Sequence, residues 1–247
     1  MDMKSLPTFY TVRFMILYVN GDSHTAAAEA VNSYAFAEDD GLYYGLGRRP
    51  HPDNERVSWG CELANHLRAI LHCDAESASS NARIMRTTRA WLQQQDSVKD
   101  TLVIIQWSTW ERQEWLYNGT YYQVNASGID QVPSEAAERY RNFVIGVNWA
   151  EARQHAHSEI WQFHRELKLN GVRHVFFNGN SDFSGVANPH DWGVNYMAPY
   201  DPANTYNSVL RNGGFATVRP DSWHFGEAAH CFWAEHVLNY IKHNNLV

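Results

Sequence analysis

The chain has 247 residues, 44% of them hydrophobic and 19% charged, with a formal net charge of −7. A chain of this length buries a large core, and the balance is that of an ordinary soluble protein. The negative charge argues against unspecific nucleic-acid binding, which needs a basic footprint.

Nowhere does an apolar run reach the roughly 18 residues that a membrane-spanning helix needs, so no transmembrane helix is predicted. The N-terminus lacks the charged, apolar and small-residue regions of a signal peptide. Cys61, Cys73 and Cys231 are odd in number and show no metal-type spacing, which predicts reduced thiols. Ten tryptophans and an aromatic fraction of 14% fit a bulky core. They also fit a platform for sugar rings.

In chain order, Met1 to Thr11 is an extension without a readable structure. Arg13 to Asn20 is apolar enough for a buried strand. Thr25 to Val31 is alanine-rich and predicts a helix with Ser23 near its N-terminus, where helix amides favour negative charge. Residues 35–57 read as a long loop. Gly60 to Leu71 has helical apolar spacing, and Leu71 to Ala75 reads as a short strand. Asn81 to Gln95 is a predicted helix capped by Ser79 or Ser80. Thr101 to Trp107 reads as a buried strand.

Residues 108–148 are irregular and aromatic-rich, with a helix predicted within Glu135 to Asn142. Trp149 to Leu169 is a long helix stopped by Asn170-Gly171. His155 and His157, two apart, do not share a helix face and read as solvated. Val172 to Asn178 is a strand, residues 179–203 a second long loop, and Phe225 to Asn244 a closing amphipathic helix. Alternating strands and helices predict a mostly parallel sheet covered on both faces. Ligands then bind beyond the carboxyl ends of the strands. No linker or repeat interrupts residues 1–247, which predicts one domain.

Two fragments carry the chemistry. Gly21-Asp22-Ser23-His24 follows strand one, and Asp221-Ser222-Trp223-His224 precedes the last helix. A serine needs a base within hydrogen-bond reach, and the base needs an acid to hold its tautomer. Ser23, His224 and Asp221 supply these three groups. Taken alone, Ser23 also fits a cap between strand and helix, and Asp221 an N-cap.

The two fragments resemble block I (G-D-S-[LH]) and block V (D-x-x-H) of the SGNH hydrolase superfamily, the GDSL-type esterases and acetylhydrolases. The resemblance implies a flavodoxin-like three-layer α/β/α sandwich with a mostly parallel five-stranded sheet. It also implies a Ser23–His224–Asp221 triad with no cofactor and no metal. Ser77 to Ile84 resembles block II, with Ala78 where the family has its oxyanion-hole glycine. Block III, G-x-N-D, has no asparagine here: Gln106-Trp107-Ser108-Thr109-Trp110-Glu111-Arg112 follows the strand. Thr109 or Ser108 stands nearest that place, and Arg112 either supplies positive charge or pairs with Glu111 or Glu114 at the surface. Asn178 and Asn180, at the end of the next strand, are substitutes or an Asn-Gly turn.

The implied activity is hydrolysis of an O-acyl ester on a small molecule or a glycan, with no nucleic-acid or membrane partner. The run Leu17 to Thr25 also resembles SGNH-like proteins of tailed bacteriophages. The expected location is then the cytoplasm or a virion. Two other readings are a binding or virion protein on a degenerate hydrolase scaffold and a metallophosphoesterase. The latter rests on Asp22-Ser23-His24 as a D-x-H motif and lacks the partner motifs.

Overall fold

The computed structural model describes residues 15–33, 48–126 and 132–247. Its elements are β1 (Ile16–Asn20), α1 (Pro52–Glu55), α2 (Trp59–Leu67), β2 (Ile70–Cys73), α3 (Asn81–Gln93), β3 (Thr101–Trp107), β4 (Gln113–Tyr117) and β5 (Thr120–Val124). These are followed by α4 (Ala137–Gly146), α5 (Trp149–Leu169), β6 (Arg173–Asn178), α6 (Tyr206–Asn212) and α7 (Glu227–His243).

Four strands form one parallel sheet in the order β2-β1-β3-β6. All seven residues of β3 are buried, as expected of a central strand covered on both faces. Alternate residues sort the two faces. Leu17, Val19, Leu102, Ile104, Val175 and Phe177 pack against Trp59 and Leu63 of α2 and Trp233, Val237 and Ile241 of α7. Tyr18, Val103, Ile105 and Phe176 pack against Ile84 and Trp91 of α3 and Ile160, Phe163 and Leu167 of α5. The result is a three-layer α/β/α sandwich. Each fully buried large apolar side chain contributes about 1.5–3 kcal/mol. A satellite cluster of Trp115, Val124, Ala136 and Tyr140 anchors the β4–β5 hairpin.

Among the described residues the sheet has four strands, not the five that the family resemblance implies. Beside the edge strand β6 the pairing is reduced to one isolated parallel bridge, between Phe176 and Tyr196. Ala198 turns left-handed there, with φ of 42°, and Pro199 cannot donate to a ladder.

The alanine-rich stretch after β1 is a turn, not a helix. Ala27 and Glu29 adopt left-handed backbone, with φ of 52° and 65°. Ala26 N still donates to Asp22 O at 3.0 Å, and Ala28 N donates to Ser23 O at 2.9 Å. Helix propensity loses here to a tight, buried wrap that carries Glu29 back toward residues 219–224.

Within residues 108–148 the structure builds the β4–β5 hairpin, a 3-10 turn (Ser134–Ala136) and α4. Of the loop at 35–57, residues 35–47 lie outside the described residues, as do Met1 to Thr11; the remainder holds α1.

Residues 179–203 remain a loop, with 3-10 turns at Gly193–Asn195 and Pro202–Asn204, and this loop is firmly tied. Met197 N donates to Phe176 O at 2.9 Å, and Asn178 Nδ2 donates to Pro199 O at 3.1 Å. A stacked ladder of rings joins it to α5. Trp161 lies between His164 and His190, at centroid distances of 5.1 and 4.4 Å. His190 stacks in turn on His157 at 4.7 Å and 3°. His157 is thus buried rather than solvated, whereas His155 is exposed and pairs with Glu159.

Candidate active site

The carboxyl ends of β1, β3 and β6 are adjacent: Asn20 pairs with Ile105, and Trp107 with Asn178. The segments that leave these strands begin at Gly21, Ser108 and Gly179. They meet at a cavity of about 560 Å³ whose lining includes Ser23, Ala78, Thr109, Arg112, Asn180 and His224.

The turn that holds Ser23 is braced from below. The buried Asp22 carboxylate accepts from Ser108 Oγ at 2.8 Å, Arg112 Nη1 at 3.0 Å and His24 N at 3.0 Å. Burial opposes its ionisation. The charges of His24 and Arg112, with the hydrogen bonds from His24 N and Ser108, outweigh burial and hold it below the ordinary carboxylate range. Thr25 Oγ1 donates to the buried Gln106 Oε1 at 2.8 Å. Gly21 permits this closeness: a Cβ there would overlap Thr25 Oγ1 and lie 2.9 Å from Thr25 Cβ. Beside Ser23, burial depresses the imidazole of His24 below its ordinary value. His24 Nε2 lies 3.0 Å from Asn180 Nδ2.

His224 is buried at the rim, and its Nδ1 faces Glu29, with Oε2 at 2.5 Å. The same carboxylate accepts from Ser222 Oγ at 2.6 Å and pairs with Arg219. The hydrogen bond from His224 is the main reason that the Glu29 carboxyl is pulled down to about 2; Ser222 and Arg219 add to it, against burial.

Asp221 does not take this position. Its side chain is 82% exposed, and its nearest ionic partner is Arg219, at 3.4 Å. The Asp-x-x-His spacing therefore brings Ser222, not Asp221, to the imidazole's surroundings. Ser222 Oγ also accepts from His224 N at 3.0 Å. Glu29 escapes sequence reasoning because it sits six positions after Ser23 in a predicted helix. Its one signal is a lone carboxylate in an alanine run.

The other sequence candidates divide. Ala78 lines the cavity in a left-handed conformation, φ 66°, the backbone that a glycine would favour. Thr109 lines it too, and its Oγ1 is buried with no partner among the described residues. Arg112 contributes Nη1 to Asp22 and Ser108, while its buried Nε has no partner there. Ser108 is not on the cavity wall: its hydroxyl is given to Asp22, and its N–H to Asn81 Oδ1 at 2.9 Å. Asn178 is likewise occupied, accepting from Tyr196 OH at 2.5 Å and donating to Pro199 O. Asn207, with a buried unpartnered Nδ2, and the exposed Trp149 and Trp223 complete the wall without having been singled out from sequence.

Among the described residues, no group of three or more His, Cys, Asp or Glu side chains is placed to hold a metal ion. No described helix is long and apolar enough to cross a membrane.

A family model described as a family of unknown function, DUF6071, matches residues 46–181, more than half of the chain. That span contains neither Ser23 nor His224. No curated protein matches. Several solved structures are similar at low identity. A Desulfitobacterium hafniense DCB-2 protein, described as lipolytic and of the G-D-S-L family, is 11% identical with a TM-score of 0.44; the match covers 92% of this chain and 99% of that one. The psychrotrophic esterase EstA of a Pseudoalteromonas species is 11% identical with a TM-score of 0.41, covering 92% and 96%. A carbohydrate esterase family 2 enzyme with a carbohydrate-binding domain, from Myceliophthora fergusii, is 13% identical with a TM-score of 0.43, covering 96% and 68%.

Proposed function

The chain belongs to DUF6071, a family of unknown function, and from the geometry of its site we propose that it is a serine hydrolase of O-acyl esters, with Ser23 as nucleophile, His224 as base and Glu29 as the orienting acid. The observation that carries this reading is the His224 Nδ1–Glu29 Oε2 hydrogen bond beside a cavity that Ser23 also lines.

The roles follow from the chemistry of each group. A bond from Nδ1–H to a carboxylate leaves the other ring nitrogen as the acceptor, so it takes the proton from Ser23 Oγ during attack on the acyl carbon. Glu29 then stabilises the imidazolium. The tetrahedral oxyanion is met by the N–H of Ala78 and the hydroxyl of Thr109, in place of the glycine and asparagine of the SGNH hydrolases that the sequence resembles. A single donor of this kind is worth about 2.7–4 kcal/mol in the transition state. His224 returns the proton to the departing alcohol. Water, activated by the same base, then cleaves the acyl-enzyme to a carboxylate and free Ser23.

The testing experiment is intact-mass spectrometry after exposure to a serine-directed fluorophosphonate, with Ser23→Ala as control. The expected result is one phosphonyl adduct on the parent and none on the variant, with Ser23→Ala also unable to turn over p-nitrophenyl acetate. Labelling that survives in Ser23→Ala would remove Ser23 as nucleophile. An unlabelled parent that also fails to hydrolyse small esters would favour a scaffold that binds without catalysis.

A further inference from the structure

We propose that Asn180 is a further catalytic residue of this site, whose side-chain amide donates to the oxyanion formed on the acyl group, and that His24 is the positioning residue that aims it. The inference rests on the esterase reading of Ser23.

The order of the strands puts the amide beside the reacting group. β3 and β6 are paired as far as Trp107 and Asn178, and Gly179 N extends the ladder by donating to Trp107 O at 3.0 Å. Two residues on from that last pair stand Thr109 and Asn180. β3 lies between β6 and β1. The Asn180 side chain, rooted beyond β6, reaches His24, rooted beyond β1: Nδ2 and Nε2 are 3.0 Å apart. It therefore spans the end of β3 and ends at the residue that follows Ser23. Ser23, His24, Thr109 and Asn180 all line the same cavity.

The approach depends on Gly179. A Cβ there would overlap Gln106 Nε2 and lie 2.9 Å from Trp107 O. The Gly179 carbonyl accepts from Asn207 N at 3.1 Å, so the segment that carries Asn180 is held from both sides. Asn178 has no such freedom to serve a ligand, since both ends of its amide are taken by Tyr196 and Pro199.

An amide nitrogen only donates, so His24 Nε2 accepts one of its two hydrogens. Burial depresses His24 below its ordinary value and so keeps that lone pair available near neutral pH. The planar amide is thereby fixed, and its second N–H has no partner among the described residues. Ser23 Oγ bonds to the acyl carbon as its proton passes to His224, and the carbonyl's π pair moves onto oxygen. The second N–H of Asn180 meets that oxygen and releases it when the carbonyl re-forms and the alcohol leaves with the proton. A side-chain amide from β6 thus serves where the segment after β3 has none.

The test compares p-nitrophenyl acetate with its thiono counterpart, whose sulfur replaces the carbonyl oxygen and accepts hydrogen bonds weakly. On the oxygen ester, Asn180→Ala should lower kcat about 10²–10³-fold and leave KM within about threefold. The thiono ester should lose far less, so the oxygen-to-sulfur ratio of kcat/KM should shrink about tenfold or more. His24→Leu, which cannot accept, should shrink the ratio in the same direction. His24→Gln, whose carbonyl can accept, should recover it. The ratio is read within each variant, so partial folding does not move it.

A kcat for Asn180→Ala within about threefold of the parent overturns the proposal. So does an equal loss on both esters, which would leave Asn180 as a tie for the loop at 179–203. In either case Ser23-dependent turnover by the parent keeps the esterase reading standing. An unchanged ratio in His24→Leu removes the role of His24. A parent with neither Ser23-dependent turnover nor fluorophosphonate labelling removes the esterase reading and the proposal together.

Discussion

Glu29 and Asp221 offer the sharpest contrast between single residues. Both are carboxylates near His224 in space or sequence, but only Glu29 is buried against its Nδ1. Glu29→Gln keeps the shape and removes the charge that favours the imidazolium. By analogy with the loss of a triad acid, kcat should fall by about two to four orders of magnitude. Asp221→Asn should leave it within about twofold, since exposed ion pairs contribute little. Steady-state kinetics on p-nitrophenyl acetate reads both; equal losses would return the acid's role to Asp221. Ala78 allows a second residue-scale prediction. Left-handed backbone costs an L-residue about 1–2 kcal/mol, and a glycine gives back about 0.4–1 kcal/mol through the unfolded chain. Ala78→Gly should therefore stabilise the fold by up to about 1 kcal/mol while keeping the amide, which urea denaturation measures.

At the scale of elements, the site depends on how closely the strand ends approach one another. Gly21→Ala would press a methyl into Thr25 and toward Gln106 Oε1. Overpacking of this kind costs about 1–3 kcal/mol, and here the strain falls on the turn that aims Ser23. The variant should unfold at lower urea and lose turnover beyond what its folded fraction explains. The regular elements were legible in advance because their signals are local. Thr101–Trp107 and Trp149–Leu169 have the bounds that apolar runs and the Asn170-Gly171 stop predict. What local signals could not convey is the turn from Ser23 to Ala30. Its alanines favour a helix, and contacts with residues 219–224, almost the whole chain away, override them. The same holds for β4 and β5, whose mixed polar and aromatic residues form a hairpin only against Ala136 and Tyr140. Ser108 and Asn178 looked like donors for a ligand because their types fit; the structure gives their polar atoms to Asp22, Tyr196 and Pro199 instead.

At the scale of the molecule, buried histidines couple stability to pH. Burial first, and neighbouring charge second, push His157 and His164 from the ordinary 6.5 down to about 4. Burial does the same to His174, against its hydrogen bond with Val172 O, and takes His230 to about 3. The unfolded chain takes up these protons near 6.5, whereas the folded chain resists until about 4 or lower. Stability is therefore full above about 6.5 and declines as pH falls through that window. Each such group contributes a slope of about 1.4 kcal/mol per pH unit. Glu29 adds a further loss below its ordinary 4.5, down to about 2. Urea midpoints should drop steadily between roughly pH 7 and pH 4.5; a constant midpoint would contradict the burial of this set. The Glu29–His224 pair also spans 195 positions of sequence. During synthesis, Ser23 and Glu29 leave the ribosome almost together, and His224 follows only when most of the chain has been made. On the roles proposed above, a chain cut short before His224 holds Ser23 and Glu29 with nothing to take the proton.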